Sequence, residues 1–443
     1  ITNYFNQEVS FSAQVKTDPN KTATGNFSFT VRLLQFTAHD QIFALRTPIR
    51  LLTKNQISVL PGQTIAGTAT VLKSKESRVA ALFIVNGPII IQTNPSAWAA
   101  GLGAIREGLR ENSGDGDAGA LIPGMVLGDT SKQSPEFKEA MKRSGLTHLV
   151  AVSGANFAIV STFVLWCMQF LIRRKNLRII ATAIALTCFI ALVRPSPSVL
   201  RAAAMAAVLL SAQLGKRGSD SLPALGFAIC AVVLGDPWQS RDAGFALSVL
   251  ATAGLLLLAP RIVEKLPTHK KLAEALAPPI AAIVFCSPIL VSLSGYLSPM
   301  SIIANLLAAP AVAVITVLGF IAALVSPFAP WLTQFIIFFI RFPAGFITGI
   351  AHWVAAFPVL TIHNGLMGFG LVALILVVFI LFKRSWKQST AVLLMIVLAL
   401  GWIQRWPAGD WQVAQCDVGQ GDSLVVNLGD HRATVIDVGP DSL

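Results

Sequence analysis

The residues with chemistry to offer sit where polar groups are least expected. The stretch 145–160 reads GLTHLVAVSGANFAIV, an apolar run that opens with His148, Ser153, Gly154 and Asn156. A second, RPSPSVLRAAAMAAV, carries Arg201 one turn after Ser196-Pro197, and a third, RDAGFALSVLATAGL, carries Asp242 ahead of Ser248 and Thr252. Polar groups at membrane depth are costly unless they meet a partner or water, so by default they line a cavity or a path. On a continuous helix turning about 100° per residue, Ser153 and Asn156 fall about 140° and about 80° from His148, on one broad face. Two other readings stay open: helix-to-helix hydrogen bonding with close packing at Gly154, and a Ser153–His148 nucleophile pair, for which no acid is placed to orient the histidine. Arg201 needs a carboxylate, backbone carbonyls or a passing anion. Asp242 is the carboxylate in a packed-interface reading, with Ala202–Ala204, Ala206 and Ala207 allowing close approach; Asp242 also fits a helix cap, with Ser248 and Thr252 one turn apart. Asn305 and Pro310 in NLLAAPAVAV mark a kink with freed carbonyls.

The elements that position these residues follow from composition. Of 443 residues 54% are hydrophobic and 13% charged, against about 25% charged in soluble domains. This is the composition of an integral membrane protein, and it excludes disordered, collagen-like and disulfide-scaffold classes. Ten apolar spans are predicted at 147–172, 177–193, 197–214, 221–235, 243–260, 276–294, 302–326, 332–356, 366–382 and 389–405, since about 20 apolar residues cross a bilayer. Four odd-numbered loops hold the clusters of Lys and Arg: 173–178, 216–217, 261–271 and 383–387. The positive-inside rule makes that side cytoplasmic and puts both termini outside. Trp331, Trp353, Trp386, Trp402 and Trp406 lie near span ends, as interfacial aromatics do.

Residues 1–97 alternate Val, Ile, Phe and Thr with polar residues, which predicts strands near 7–17, 26–37, 47–53, 63–73 and 79–92 with a turn at Pro61-Gly62. Five such strands suit a small closed barrel of the OB type, and a sandwich fragment is the alternative. This segment has a net charge of +5 within a chain total of +12. Residues 98–145 read as a helical, partly interfacial linker, broken at 114–119, with Ser134 as N-cap and Pro135 as first residue of a helix to Arg143. Residues 407–443 carry a net −5 and read as strand, Gly-rich turn, strand, turn, strand. Four cysteines fall in apolar runs and behave as small hydrophobes. No two of the six histidines have ligand spacing, so neither a metal site nor a catalytic set is predicted within the chain. The start at Ile1 and the stop at Leu443, just into a new domain, are read as the ends of a fragment.

Taken together, GLTHLVAVSGAN, SVLRAAAM, RDAGFALSVLATAGL and DVGQGDSLVV…VIDVG resemble the ComEC family, competence proteins that carry single-stranded DNA across the cytoplasmic membrane. The resemblance covers essentially the whole chain in the family's order. It implies a polytopic α-helical membrane protein with an N-terminal OB-like β-barrel (1–97), a linker (98–145), a competence-type channel domain (146–406) and the start of a truncated metallo-β-lactamase-like α/β domain (407–443). His148, Ser153, Gly154, Asn156, Arg201, Asp242 and Asn305 become the pore or gate constellation. Arg46, Arg50, Lys54, Lys73, Lys75 and Arg78 become the cationic surface that receives DNA, since OB barrels hold single strands by charge and stacking. Two departures stand out. Ala155-Asn156 replaces the Leu-His of many members, and the family's HxHxDH motif, with its divalent metal (Zn or Mn) and nuclease activity, falls beyond Leu443. The implied partners are single-stranded DNA, the lipid bilayer and other competence machinery: a DNA receptor and a cytoplasmic helicase or single-strand-binding proteins. A small-solute transporter and a membrane-anchored metallohydrolase are the alternative functions.

Overall fold

The structure, a computed structural model, describes residues 4–361 apart from 23, 24, 40, 56, 75, 77, 151, 215–219 and 267; beyond them it describes 365, 368–370, 372, 412–417, 422–429 and 432–436. The chain divides into two compact units, residues 1–286 with 300–358, and residues 287–299 with 359–443.

The first unit opens with seven strands: β1 (Glu8–Val15), β2 (Asn20–Lys21), β3 (Phe27–Ala38), β4 (Gln41–Thr53), β5 (Thr64–Leu72), β6 (Leu82–Val85) and β7 (Ile90–Ile91). Alternation places Val9, Phe11, Ala13 and Val15 of β1 on one buried face, as a period of two requires. In β3 the buried set runs Phe29, Val31, Leu33 and then Phe36, Ala38. The parity flips because the registers with both β1 and β4 skip Leu34, a bulge that keeps the apolar face inward on either side of it. β1 pairs antiparallel with β3 on one side and β5 on the other; β4 pairs antiparallel with β3 and parallel with β6, and β6 returns to β5. The pairing path thus comes back to its first strand. Gly62, at φ 99°, makes the expected turn before β5. β4 starts at Gln41, earlier than the predicted 47, because β3 and β4 pair out to Ala38↔Gln41.

The helices are α1 (Ala97–Asn112), α2 (Gly116–Leu127), α3 (Pro135–Arg143), α4 (Gly154–Leu171), α5 (Lys175–Val193), α6 (Pro197–Leu214), α7 (Ser221–Gly235), α8 (Ala243–Leu257), α9 (Ala259–Lys265), α10 (Lys270–Ser294, its last turns in the second unit), α11 (Ser301–Val325) and α12 (Pro330–Ala355). Six stretches are long and apolar enough to span: Thr147–Leu171, Lys175–Val193, Ala243–Lys265, Lys270–Ser294, Ser301–Val325 and Pro330–Ala355. They coincide with six of the eight expected spans that fall on described residues. The apolar helices at 197–212 and 221–235 are shorter than a span, and the predicted spans at 366–382 and 389–405 lie almost wholly outside the described residues. The Gly/Asp break at 114–119 is itself corrected: Gly114 and Gly116 take positive φ and α2 begins at once, with 119–127 buried throughout. α1, α2 and α3 supply Leu102, Leu109, Leu121, Met125 and Phe137 to the same core as α4, α5, α11 and α12.

On α12 the inward row is Ile337, Ile340, Ala344, Ile347, Ala351 and Val354, while Phe335, Phe338, Phe339, Phe342 and Phe346 face outward, Phe342 being 85% exposed. A soluble protein does not expose such a contiguous aromatic stripe; a bilayer covers it.

In the second unit β8 (Tyr296–Leu297) pairs with β9 (Leu360–Thr361), and β10 (Val413–Asp417), β11 (Asp422–Gly429) and β12 (Arg432–Ile436) form an antiparallel sheet in that order. The Gly-rich turn and Asp437-Val438-Gly439 lie outside the described residues.

Candidate functional site

Three of the motif blocks meet at one side chain. Arg201, in the second turn of α6, is only 5% exposed. Its Nε donates to Ser248 Oγ at 2.9 Å and its Nη1 to Thr252 Oγ1 at 2.5 Å, with Met205 Sδ at 3.5 Å. Ser248 and Thr252 stand one turn apart on α8, the spacing that lets two hydroxyls meet one guanidinium fork. Nη2 lies against Gly154, the first residue of α4, where a Cβ would collide with it. Gly154 is thus the space for Arg201.

The carboxylate expected for Arg201 is elsewhere. Asp242 Oδ1 accepts from Phe245 N at 2.9 Å and caps α8. A carboxylate three residues before a free N–H is held by local geometry, which here prevails over attraction to a distant cation. No ion pair joins Asp242 to Arg201 among the described residues.

Ser153 caps α4, its Oγ accepting from Asn156 N at 3.1 Å. Asn156 is 1% exposed, and its Nδ2 donates to Met125 O at 3.1 Å, satisfying a carbonyl left open at the end of α2. The helix does not run on from His148. Thr147–Leu149 is a 3-10 turn and Ser153 is extended, so the common-face argument fails. His148 is exposed on that turn, and no described hydrogen bond links it to Ser153. Gln133 Nε2 donates to Val150 O at 3.3 Å, and Gly124 admits that carbonyl where a Cβ would not. These contacts hold the irregular segment in place. Asn305 Nδ2 donates to Ser301 O one turn back at 2.7 Å, apart from the Arg201 group.

The β-domain cations divide. Arg50 pairs with Glu76 at 2.9 Å and Arg78 with Asp236. Arg46, Lys54 and Lys73 are exposed, and Lys75 lies outside the described residues. Among the described residues no three His, Cys, Asp or Glu stand together as a metal-ligand set.

Sequence reasoning missed a second charged cluster. Arg106 of α1, nearly fully buried, donates through Nη1 to Leu127 O (2.7 Å) and Leu192 O (3.0 Å), and Nη2 lies 3.2 Å from Asp18. Arg194 donates to both carboxylate oxygens of Asp18, at 3.0 and 3.2 Å, and Arg110 pairs with Asp129 at 3.4 Å. Burial pushes the Arg106 guanidinium below its ordinary value, while Asp18 and Asp129 pull it back up. The signal available in sequence was Arg106 itself, an arginine among the apolar positions of a short amphipathic helix.

A sheet followed by long apolar helices, aromatic outside and closing on a buried arginine, defines a polytopic helical membrane protein. A family model described as Competence protein matches residues 125–409, which contain His148, Arg201, Ser248 and Thr252. The chain belongs to this competence (ComEC) family. It is 28% identical over 333 residues to ComE operon protein 3 of Bacillus subtilis (strain 168), a match covering 72% of this chain and 42% of that protein. The chain thus spans less than half of that relative's length. No solved structure matches it.

Proposed function

We propose that this protein acts in DNA uptake during competence, its helical domain forming the path by which a single strand crosses the cytoplasmic membrane. The observation that carries this reading is the convergence of three separated polar blocks on Arg201, inside the region matched by the competence family. A passive anchor needs no buried guanidinium, whose desolvation is expensive.

The finer organisation belongs to the same proposal. The sheet path that returns to β1, with its parallel β4–β6 pair, supports an OB-like barrel over 1–97. Arg46, Lys54 and Lys73 are then available to phosphates on its surface. Residues 98–145 lead into the channel domain at 146–406, and 407–443 begin a metallo-β-lactamase-like domain whose metal ligands would follow. Counted over the ten expected spans, the loop charges favour both terminal domains outside. A DNA receptor outside and a helicase or single-strand-binding protein inside complete the route.

The test is conversion of surface-bound labelled DNA to a nuclease-protected form in cells with and without the gene. Loss of entry with binding retained is expected. Unchanged entry in a competent strain would overturn the channel and bring forward a solute transporter or an anchored hydrolase.

A further inference from the structure

We propose that the Arg201 guanidinium and the open N-terminus of α4 form a binding site for a phosphate oxyanion. The assignment of that phosphate to a DNA strand rests on the function proposed above; the site itself does not.

The charge comes first. Arg201 is 95% buried by its 5% exposure, and its hydrogen-bond acceptors are neutral: two hydroxyls and a thioether. No carboxylate pairs with it among the described residues. A buried cation without a counter-charge is expensive, and an anion that reaches it is held strongly.

The donors come second. Ser153 Oγ takes the N–H of Asn156 and Ser153 O takes that of Phe157. The N–H groups of Gly154 and Ala155 have no acceptor among the described residues, and they sit at the positive end of an 18-residue helix. Nη2 of Arg201, also without an acceptor there, packs on that same Gly154. A fixed cation beside two open amides is a donor set for an oxyanion with more than one oxygen. Ala155 is exposed, which leaves a side for approach. Ser248 and Thr252 are positioning residues: by occupying Nε and Nη1 they leave Nη2 as the edge turned to the ligand. A phosphodiester fits, and it carries no base identity, so strand handling here would be independent of sequence. A lipid headgroup presents the same chemistry.

The experiment measures the thermal midpoint of the purified chain in uncharged maltoside detergent, with sodium phosphate or a thymidine oligonucleotide titrated against chloride at equal ionic strength. A second arm uses nanodiscs of phosphatidylcholine with and without phosphatidylglycerol. Phosphate is expected to raise the wild-type midpoint, with apparent affinity falling at least about ten-fold in Arg201→Lys, where the fork is lost, and in the Ser248→Ala/Thr252→Ala double variant, where the charge remains but is no longer aimed. Equal phosphate effects in wild type and folded variants, or none in wild type, would overturn the site. Arg201-dependent protection by phosphate and phosphatidylglycerol but not by the oligonucleotide would keep the site and refute the strand as its ligand. The uptake reading fails separately: a deletion strain with normal DNA entry refutes it whatever phosphate does to the purified protein.

Discussion

At Gly154 the difference between a hydrogen and a methyl decides where a guanidinium lies. The backbone there is ordinary helical geometry, so Gly154→Ala is resisted only by the clash with Arg201 Nη2. The far end of a long side chain yields before backbone does, at the expense of the bonds to Ser248 and Thr252. We expect a loss of about 1–3 kcal/mol, typical of overpacking combined with broken charge-assisted hydrogen bonds. In an Arg201→Met background the same change should cost much less, which paired denaturation midpoints would reveal. Equal costs in both backgrounds would mean that the clash is not with Arg201. The polar residues of this site were legible in sequence as misfits in apolar runs, but their partners were not. Charge alone nominated Asp242 for Arg201, and pattern alone cannot show that a cap three residues from its own amide is the nearer use of that carboxylate.

At the scale of elements, local rules served where the chain followed them. Ser134 caps α3 with Pro135 behind it, as predicted, and Ser134 Oγ accepts from Phe137 N at 3.1 Å. Ser134→Ala should cost about 1 kcal/mol, read as faster amide exchange in the first turn of α3. The break between His148 and Gly154 was hidden, because nothing in HLVAVS punctuates an apolar run. Tertiary bonds flank it: Gln133 takes the Val150 carbonyl, and Asn156, in the first turn of α4, donates to the Met125 carbonyl of α2. Asn156 is therefore expected to matter as a structural donor. Asn156→Ala leaves the Met125 carbonyl unpaired in a dry site, a loss of about 1–3 kcal/mol, while Asn156→Asp sets a carboxylate against that carbonyl and should lose more. Purified-protein midpoints in that order would support this; indifference to both would show that the carbonyl finds water.

At the scale of the whole first unit, membrane class was legible because composition depends on solvent, whereas the length of the individual apolar helices was not. The apolar runs of α6 and α7 were expected to span, yet the helices at 197–212 and 221–235 are shorter than a span, and hydropathy does not distinguish protein from lipid as the apolar surroundings. The charged junction between sheet and helices was equally invisible, since Asp18, Arg106 and Arg194 lie far apart in the chain. Asp18, in the loop before β2, is the carboxylate that balances two arginines, Arg106 within α1 and Arg194 at the C-terminus of α5. Removing it leaves Arg106, among the described residues, hydrogen-bonded to the Leu127 and Leu192 carbonyls and favoured electrostatically by Asp129, in a site where burial already disfavours its charge. Breaking a buried pair from one side costs about 3–5 kcal/mol, and the partial exposure of Asp18 puts Asp18→Asn near the lower end. Because the carboxylate link joins β-domain to helices, the loss should appear as uncoupling: one melting transition in the wild type, and in the variant an earlier transition of the sheet followed by that of the helices. Arg194→Gln, which removes the more exposed partner and leaves Arg106 paired, should lower stability by less and keep a single transition. If both variants melt together at the wild-type midpoint, the junction is held by packing and the arginines only decorate it.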